Sequence, residues 1–576
     1  MQKQFVKARS LRPNTYFLIS ILILAIALRV NHIDQPYVDV FSWRQTSTAM
    51  MADNYFRTNW NIFFPEVSWG GPGPNYQGRE FQTVSYLSAL LYTVFGKQDW
   101  VGRLVATTFG VWGVFALYQL VRRVWNEERA LASALIMAII PGGVFTERSF
   151  LPDPAMTALM TTSCWLLVAH LQTGSTRYLL FAALIFTWGA LSKITGLMVG
   201  IPLLYALFAI LHQKQELKPK RLSAIALAGT LSLIPVVIYY LWAKHLATNY
   251  PPYHFAGSAN WIWVQGFSRW FEESYFFPDF ISSAYYWLWT WPILVLLLIG
   301  IVLSLTSKRF TAQLAPPPQQ LSNSLSEEIT SNSRHLDNTN LKDTVPKAPW
   351  FFHWWLVSAS FFYLIGAREL VDNPWNFHIF NPVVAAFAGY GMLATSQILA
   401  SAIPPILQPN SPQKPAKKIV FIATLTVILL TIASVSHIRL KDMYSRSWGE
   451  ESYELGLLLR QVSEPKDLVV TMSSDLGDPN VIYYSQRRGW TFPSANNDID
   501  WSVFPEDEDY SIEMFEDLRS RGADWLAIAA THQQELQNEH PKLLKHIKTH
   551  CQIQAQREFG SICKVVPPAN SLEQTE

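Results

Sequence analysis

Residues 16–45 read YFLISILILAIALRV followed by NHIDQPYVDVFSWRQ, so an apolar run passes directly into a polar and aromatic one. Lys3, Lys7, Arg9 and Arg12 precede the apolar run. A helix needs roughly 20 apolar residues to cross the hydrocarbon core, and positive charge before it favours a cytoplasmic N-terminus. The competing interpretation is a cleaved signal peptide, but no small-residue cleavage pattern follows the run. We therefore predict a retained first membrane span.

The composition of the whole chain supports a membrane protein. Half of the 576 residues are hydrophobic and only 15% are charged, against about 25% in a typical soluble domain. A net charge of +2 gives no reason to expect nucleic acid as a partner. The prediction is a mainly α polytopic transmembrane bundle of about eleven spans. Beyond 16–30, the spans are predicted at 102–121, 130–147, 154–171, 178–192, 196–212, 222–242, 283–305, 350–366, 379–399 and 418–436.

The connections between these spans alternate in charge. With the N-terminus inside, every second connection should be cytoplasmic and rich in Lys and Arg. These connections are 122–129, 172–177, 212–221, 307–350 and 401–418. The segment 307–347 is rich in Ser, Asn, Gln and Pro and is predicted as a disordered cytoplasmic loop. An odd number of spans places everything after about residue 437 outside, so we expect a multi-pass cell-membrane protein, of the bacterial inner membrane.

The sequence predicts two domains. Residues 1–440 form the transmembrane domain, with outer loops at 33–83 and 243–282, and residues 445–567 form a small extracytoplasmic α/β domain. Alternating strands and helices in the tail support the second domain; strands are predicted at 468–472 and 525–528, and helices at 479–487, 512–521 and 532–549. Cys551 and Cys563 flank a predicted hairpin, and they can form a disulfide if this domain faces an oxidising compartment.

Ionisable side chains close to membrane spans are costly, by about 2.5–3.5 kcal/mol at a helix centre, and often have a function. In this chain they collect on the predicted outer side, between spans. Acids and bases at one face of a bundle are what the transfer of a polar group needs. The candidates are Asp39, Arg44, Glu80, Arg148, Asp153, Lys193, Arg368 and His378.

Three motifs carry a resemblance to a known class. The segments Asp39 to Thr46, Glu147 to Pro154 and Tyr483 to Trp490 resemble those of membrane glycosyltransferases of the GT-C class. The nearest group is the bacterial family-39 group, which is similar to protein O-mannosyltransferases and the lipid A aminoarabinose transferase. The likeness covers nearly the whole chain, most strongly 30–200 and 370–395. Several relatives have a second acid where this chain has Val40, and Glu80 is the candidate to replace it.

The resemblance implies inverting transfer of a sugar from a polyprenyl-phosphate donor to a hydroxyl of a lipid, glycan or protein acceptor. A carboxylate must accept the hydroxyl proton, which we assign to Asp39. Asp153 is a second catalytic carboxylate, expected to orient the acceptor, hold a cation or steady an arginine. Cations must stabilise the departing phosphate; the candidates for substrate binding are Arg44, Arg148, Lys193 and Arg368, together with Glu80 and His378.

No cofactor is certain from the sequence. Some relatives bind a divalent metal near the first-loop acids, and Glu80 with His254 would supply ligands, but no metal-ligand spacing such as HxxH supports the pair. The chain also has no glycine-rich nucleotide loop. A donor drawn from the membrane as a lipid phosphate agrees with that pattern.

Each candidate residue has an ordinary structural alternative. Asp39 or Asp153 would cap a helix, Lys193 would extend to the bilayer interface, and Glu80 or His378 would make a buried hydrogen bond. Other functions also remain: a transporter or flippase predicts charges deep in several spans and internal repeats, and a ligase would join whole glycans. A sensor or assembly protein would depend on the C-terminal domain alone.

Overall fold

The computed structural model describes residues 13–255, 276–306, 345–366, 373–402, 413–494 and 502–568. Every predicted span falls on helical structure in this part of the chain, although the spans predicted at 130–147 and 283–305 are each broken into two helices. The helices of the first half are α1 Pro13–Arg29, α2 Ser42–Arg57, α3 Thr83–Phe95, α4 Asp99–Val124, α5 Glu127–Ile139, α6 Pro141–Arg148, α7 Asp153–Thr173, α8 Thr176–Ser192, α9 Gly200–Gln213 and α10 Pro219–Asn249. Those that complete the bundle are α11 Phe276–Ser283, α12 Thr290–Thr306, α13 Phe351–Gly366, α14 Asn381–Ser401 and α15 Gln413–Met443.

The apolar helices differ in length. Within the described ranges, 6 segments are long and apolar enough to cross a membrane: Asp99–Val124, Asp153–Thr173, Ile194–Gln213, Pro219–Asn249, Pro374–Ser401 and Ala416–Val462. Two helix pairs bent by 64° and 109° raise the number to 8 if each pair is one span. The remaining predicted spans are the shorter apolar helices α1, α8 and α13. The sequence did not predict α3, whose 13 residues are too few to cross a bilayer.

Small residues allow the helices of the bundle to approach closely. A Cβ at Gly300 of α12 would collide with the carbonyl oxygen of Phe387 on α14. On the opposite face of α14, a Cβ at Gly389 would lie 2.6 Å from the backbone nitrogen of Ser133 on α5. Such close contacts are how helices associate where burial from water gives no driving force. The sequence therefore fixes α14 between α5 and α12.

The connections predicted to be cytoplasmic meet at one end of the bundle. Arg123 donates to the side chain of Gln172 at 3.1 Å, and both Lys214 and Arg221 donate to the carbonyl of Leu171 at 3.3 Å. Gln213 in turn donates to the carbonyl of Lys347 at 2.7 Å. Parts of four connections thus form a single basic surface.

The tail forms a five-stranded sheet flanked by helices. The strand order is β2-β1-β3-β5-β4, with β1 parallel to both β2 and β3 and the last two pairs antiparallel. The strands are β1 Leu468–Met472, β2 Arg488–Thr491, β3 Trp525–Ala529, β4 Cys551–Arg557 and β5 Gly560–Val565. The helices are α16 Glu450–Val462, α17 Asn480–Ser485, α18 Glu508–Ser520, α19 Ala530–Asn538 and α20 Pro541–His550. A disulfide joins Cys551 of β4 to Cys563 of β5.

The tail differs from the predicted elements at 532–549, at strand β2 and at helix α16, which was also not predicted. The single helix predicted over 532–549 is two helices, because Pro541 stands at the start of α20 and has no N–H to continue α19. Strand β2 was not predicted, since its four residues are separated from α17 by only two residues and carry no alternating pattern of their own.

The third motif of the resemblance attaches the tail to the first outer loop. Tyr483 and Tyr484 of α17 donate to the two carboxylate oxygens of Asp99, at 2.9 and 3.2 Å. Gly70 and Gly71 of the loop both donate their N–H groups to the carbonyl of Gly489, at 2.7 and 2.8 Å. Because Asp99 begins α4, the tail domain lies at the end of the bundle opposite the basic surface.

Candidate active site

The first group of charges is centred on Asp39, between α1 and α2. One carboxylate oxygen, Oδ2, accepts hydrogen bonds from Arg103 at 2.9 Å and Arg148 at 3.1 Å. The other, Oδ1, accepts from the amide of Gln45 at 2.5 Å. The side chains of Asp39 and both arginines are 0% exposed. The N-cap of α2 is Phe41, whose N–H donates to Oδ1 of Asp39 at 3.3 Å, so the carboxylate holds the arginines and also contacts the start of α2.

Arg103 was missed by the sequence analysis. It lies in the first turns of α4, inside a predicted span, and an arginine there is itself the signal that could have found it. Its partner is more than sixty residues away in the chain, and only the fold identifies it.

His378 belongs to a neighbouring buried network. Its Nε2 lies 3.3 Å from Glu147, which accepts a hydrogen bond from Arg29 of α1 at 2.6 Å. Its Nδ1 is hydrogen-bonded to Asn381 at 2.9 Å. These contacts join α1, α6 and the start of α14 through a buried network that includes His378.

The second group of charges lies on the adjacent face of α2 and involves four elements. Arg44 of α2 donates to Glu80, which precedes α3, at 2.5 Å. Asp153, the first residue of α7, accepts a hydrogen bond from Lys193, which follows α8, at 2.7 Å. Lys193 also donates to Asn376 at 2.7 Å. Four stretches that are distant in sequence thus supply one acid–base cluster, which we call the Asp153 cluster (Arg44, Glu80, Asp153 and Lys193).

Asp153 is the carboxylate of this cluster that can still accept a hydrogen bond within the described residues. It is 0% exposed, and while Oδ1 accepts from Lys193, Oδ2 has no hydrogen-bond partner among the described residues. Arg44 and Glu80 are close enough to act on it electrostatically. Asp153 stands within α7 and makes no capping hydrogen bond, and Lys193 is 9% exposed and ion-paired rather than extended into water. Asp153 is therefore not a side-chain cap of α7, and the Lys193 ammonium is paired with a buried carboxylate.

Glu80 is enclosed by cations and by a neutral imidazole. Arg79, a second residue that sequence reasoning missed, lies 3.4 Å from it and also donates to Ser47 at 2.7 Å. Burial, helped by the positive charge of Arg44 and opposed by the negative charge of Glu80, lowers the pKa of His254 to about 4. His254 contacts Gln77 at 2.7 Å. Because two guanidinium groups already hold the Glu80 carboxylate, the pair Glu80 and His254 is a poor donor set for a divalent metal.

Two observations complete the site. Arg368, the remaining candidate cation, lies outside the described residues. A cavity beside Glu80 and Pro152 has a volume of about 10 Å³, which is room for about one water molecule. In this conformation the charged side chains are paired with one another.

Comparison with known proteins agrees with the fold. The crystal structure of ArnT from Cupriavidus metallidurans bound to undecaprenyl phosphate matches with a TM-score of 0.57 at 13% identity, over 96% of this chain and 98% of that one. The archaeal oligosaccharyltransferase AglB from Archaeoglobus fulgidus, in complex with an inhibitory peptide and a dolichol-phosphate, matches with a TM-score of 0.56 at 13% identity, over 94% and 73% of the two chains. No curated protein sequence matches the chain.

A sequence signal accompanies this likeness of fold. Residues 83–242 match the family model described as dolichyl-phosphate-mannose-protein mannosyltransferase, a range that contains Arg148, Asp153 and Lys193. The predicted resemblance is confirmed: the chain has the fold of the membrane-embedded GT-C glycosyltransferases, and its segment 83–242 carries the sequence pattern of the mannosyltransferase family.

Proposed function

We propose that this protein transfers a sugar from a polyprenyl-phosphate donor to an acceptor hydroxyl, with inversion, at the outer face of the membrane. One observation carries the proposal. A fully buried carboxylate, Asp153, has one oxygen without a partner among the described residues and stands beside Lys193 and Arg44. A proton acceptor next to phosphate-binding cations is the minimum that this reaction needs.

The transfer step follows from that arrangement. The acceptor hydroxyl gives its proton to Asp153 while its oxygen attacks the anomeric carbon of the sugar. The bond from that carbon to the phosphate oxygen breaks, and the electron pair leaves with the polyprenyl phosphate. Lys193 and Arg44 stabilise the charge on this leaving group. In this step the Lys193 ammonium weakens its hydrogen bond to Asp153 and donates to the phosphate instead.

Asp39 has a different part in the proposal from the one expected for it. Its two oxygens are occupied by Arg103, Arg148 and Gln45. We assign it to positioning the two arginines at the site and assign proton acceptance to Asp153. Arg368 remains a candidate phosphate contact.

The comparisons support a lipid-phosphate donor. Two proteins of this fold were solved with undecaprenyl phosphate and with a dolichol-phosphate, both of which are polyprenyl phosphates. The family model that matches 83–242 names a dolichyl-phosphate-mannose donor. The acceptor is a hydroxyl of a lipid, a glycan or a protein.

The orientation of the chain is part of the proposal. The basic surface formed by Arg123, Lys214, Arg221 and Lys347 faces the cytoplasm by the positive-inside rule. Because the tail domain lies at the opposite end, residues 445–567 are outside the cell membrane. The disulfide between Cys551 and Cys563 supports this side, since disulfides persist in oxidising compartments.

The function is tested with purified protein, a polyprenyl-phosphate sugar and detection of the polyprenyl phosphate released. We expect Asp153→Asn to lower turnover by about a hundredfold or more, the usual scale for a general base. Asp34→Asn, which changes an exposed carboxylate of the first outer loop, is the matched control and keeps wild-type turnover. Wild-type turnover in Asp153→Asn rejects the mechanism. Movement of the donor across vesicles without any transfer would instead identify a flippase.

A further inference from the structure

A cavity of 730 Å³ lies between α1, α5, α6 and α15, and none of its lining residues belongs to the Asp153 cluster. Most of its wall is apolar, with Leu24 and Leu28 of α1 facing Leu135 of α5 and Leu429 of α15. Three of these helices, α1, α5 and α15, overlap predicted membrane spans. The cavity, which we call the α1–α15 groove, therefore has the walls of a site for hydrocarbon chains.

One end of the α1–α15 groove is polar. It is lined by His32 after α1 and by Ser436, His437, Lys441 and Tyr444 at the end of α15. His32, His437 and Lys441 are exposed. Since α1 and α15 both end here, the polar groups lie at the bilayer boundary on the side of the active site. Lys441 provides a positive charge at the depth of lipid headgroups.

Two buried hydroxyl groups at this end lack partners. Ser436 is 6% exposed and Tyr444 is 8% exposed, and neither hydroxyl has a hydrogen-bond partner among the described residues. Buried polar groups are almost always hydrogen-bonded, so each such group calls for an explanation. Both line the groove, where a ligand with acceptor oxygens would satisfy them.

The polar end of the groove is in contact with the group of charges around Asp39. Arg148 donates to the carbonyl of His32 at 2.6 Å, and its guanidinium lies 4.7 Å from the centre of the Tyr444 ring. Arg148 and Asp39 are themselves 0% exposed, so a molecule in the groove contacts neither of them. Tyr444 and His32 therefore stand between the groove and the charges around Asp39.

We propose that the α1–α15 groove binds an anionic phospholipid of the bilayer. The acyl chains lie between the leucines of α1, α5 and α15. The phosphate lies against Lys441 and accepts hydrogen bonds from Tyr444 and Ser436. An anionic headgroup fits because the rim offers a lysine, two histidines and two hydroxyl donors. The proposal is independent of the sugar-transfer function and holds whichever acceptor the enzyme uses.

Native mass spectrometry of the full-length protein in neutral detergent tests the proposal, with phosphatidylglycerol as the probe. We expect one tightly retained phosphatidylglycerol, and about tenfold weaker retention in Lys441→Ala, the scale of one hydrogen-bonded charge. The matched control is Lys417→Ala, which removes an exposed lysine near the other end of α15. Phosphatidylcholine and inorganic phosphate are the comparison ligands, and both should be retained at least about tenfold less.

A second pair of variants tests the apolar part of the groove. Ala433→Trp places a ring in the groove and should abolish retention, whereas Leu430→Trp changes a side chain that is 62% exposed on the same helix and should not. Equal retention of phosphatidylglycerol by wild type, Lys441→Ala and Ala433→Trp overturns the proposal. One-for-one displacement by a polyprenyl monophosphate also overturns it, because the groove would then hold the reacting lipid.

Discussion

At the scale of single residues, the two buried acids of the site differ in how their oxygens are used. Asp39 is surrounded by Arg103, Arg148 and Gln45, so both of its oxygens are occupied. One oxygen of Asp153 accepts a hydrogen bond from Lys193, and the other has no partner among the described residues. A general base must be within hydrogen-bond reach of the proton that it accepts. Residue type and burial are the same in the two cases, and the partners decide the role.

This difference predicts that replacing Asp39 mainly lowers stability, whereas replacing Asp153 mainly lowers activity. Asp39→Asn leaves two buried guanidinium groups without their counter-charge, and we expect it to lower the free energy of unfolding by about 3–5 kcal/mol. Asp153→Asn leaves a single lysine, which keeps its hydrogen bond to Asn376, and should cost clearly less stability while removing turnover. Thermal unfolding and turnover of both purified variants check this. A larger loss of stability in Asp153→Asn would contradict the assignment.

Lys193 and Asp153 should also act as a unit. Lys193→Met removes the cation expected at the leaving phosphate, and we expect turnover to fall about a hundredfold. Because the residues are in direct contact, adding Asp153→Asn to Lys193→Met should cost far less than the product of the two single effects. A double-mutant cycle on turnover measures the coupling. Multiplicative effects would show that the two side chains work independently.

The imidazole beside Glu80 gives a pH-dependent prediction. The unfolded chain binds a proton at His254 near pH 6.5, whereas burial lowers the pKa of the folded imidazole to about 4. Between these values the unfolded state binds more protons, so His254 makes stability fall as the pH falls from 6.5 to 4. We expect His254→Gln to lose less thermal stability than the wild type over this window. Parallel unfolding curves for both proteins would contradict the buried neutral imidazole.

Much of the site was predictable from sequence, for a physical reason. Asp39, Arg148, Asp153 and Lys193 stand out because charge next to apolar spans is expensive. Their pairing was not predictable, since Arg103, the second arginine on Asp39, looks from sequence like part of a span. Which residues touch is decided by how helices far apart in the chain pack.

At the scale of elements, long apolar helices were easier to predict than short or interrupted ones. The spans could be read because hydropathy adds up over some twenty residues. Helix α3 and strand β2 are too short to give such a sum. The bend between α5 and α6 is caused by Pro141, the first residue of α6, because its ring does not allow the helix to continue straight. Sequence therefore predicted the elements better than their breaks.

Because the tail contacts the first outer loop closely at Gly489, we expect a single methyl group added at this residue to lower stability strongly. A Cβ at Gly489 of β2 would collide with the carbonyl oxygen of Val469 on β1, while the Gly489 carbonyl accepts from Gly70 and Gly71. We expect Gly489→Ala to cost about 3 kcal/mol of stability and to make the tail more sensitive to limited proteolysis. Gly229→Ala in α10, where a Cβ meets no atom within 4 Å, is the control. Equal protease resistance of the two variants would contradict the close packing.

At the scale of the whole molecule, the two ends of the bundle are chemically different. Basic connections meet at one end, whereas the other carries both charge groups and the tail domain, attached through Tyr483 and Tyr484 to Asp99. Both ends carry cations, but among the described residues the buried cations paired with Asp39, Glu80 and Asp153 lie at the second end. We therefore expect the proposed transfer to take place at one face of the membrane.

That face can be identified by cysteine labelling in intact cells with a membrane-impermeant maleimide. Asn59→Cys in the first outer loop and Glu558→Cys between β4 and β5 should be labelled, and Lys220→Cys at the start of α10 should be labelled only after the membrane is opened; all three positions are exposed. The native thiols do not interfere, because Cys164 is buried and Cys551 is joined to Cys563. The reverse pattern would place the site in the cytoplasm, where the disulfide would be reduced and the basic surface would break the positive-inside rule. Labelling of all three positions in intact cells would mean that Asn59 and Lys220 lie on the same side, which the bundle forbids.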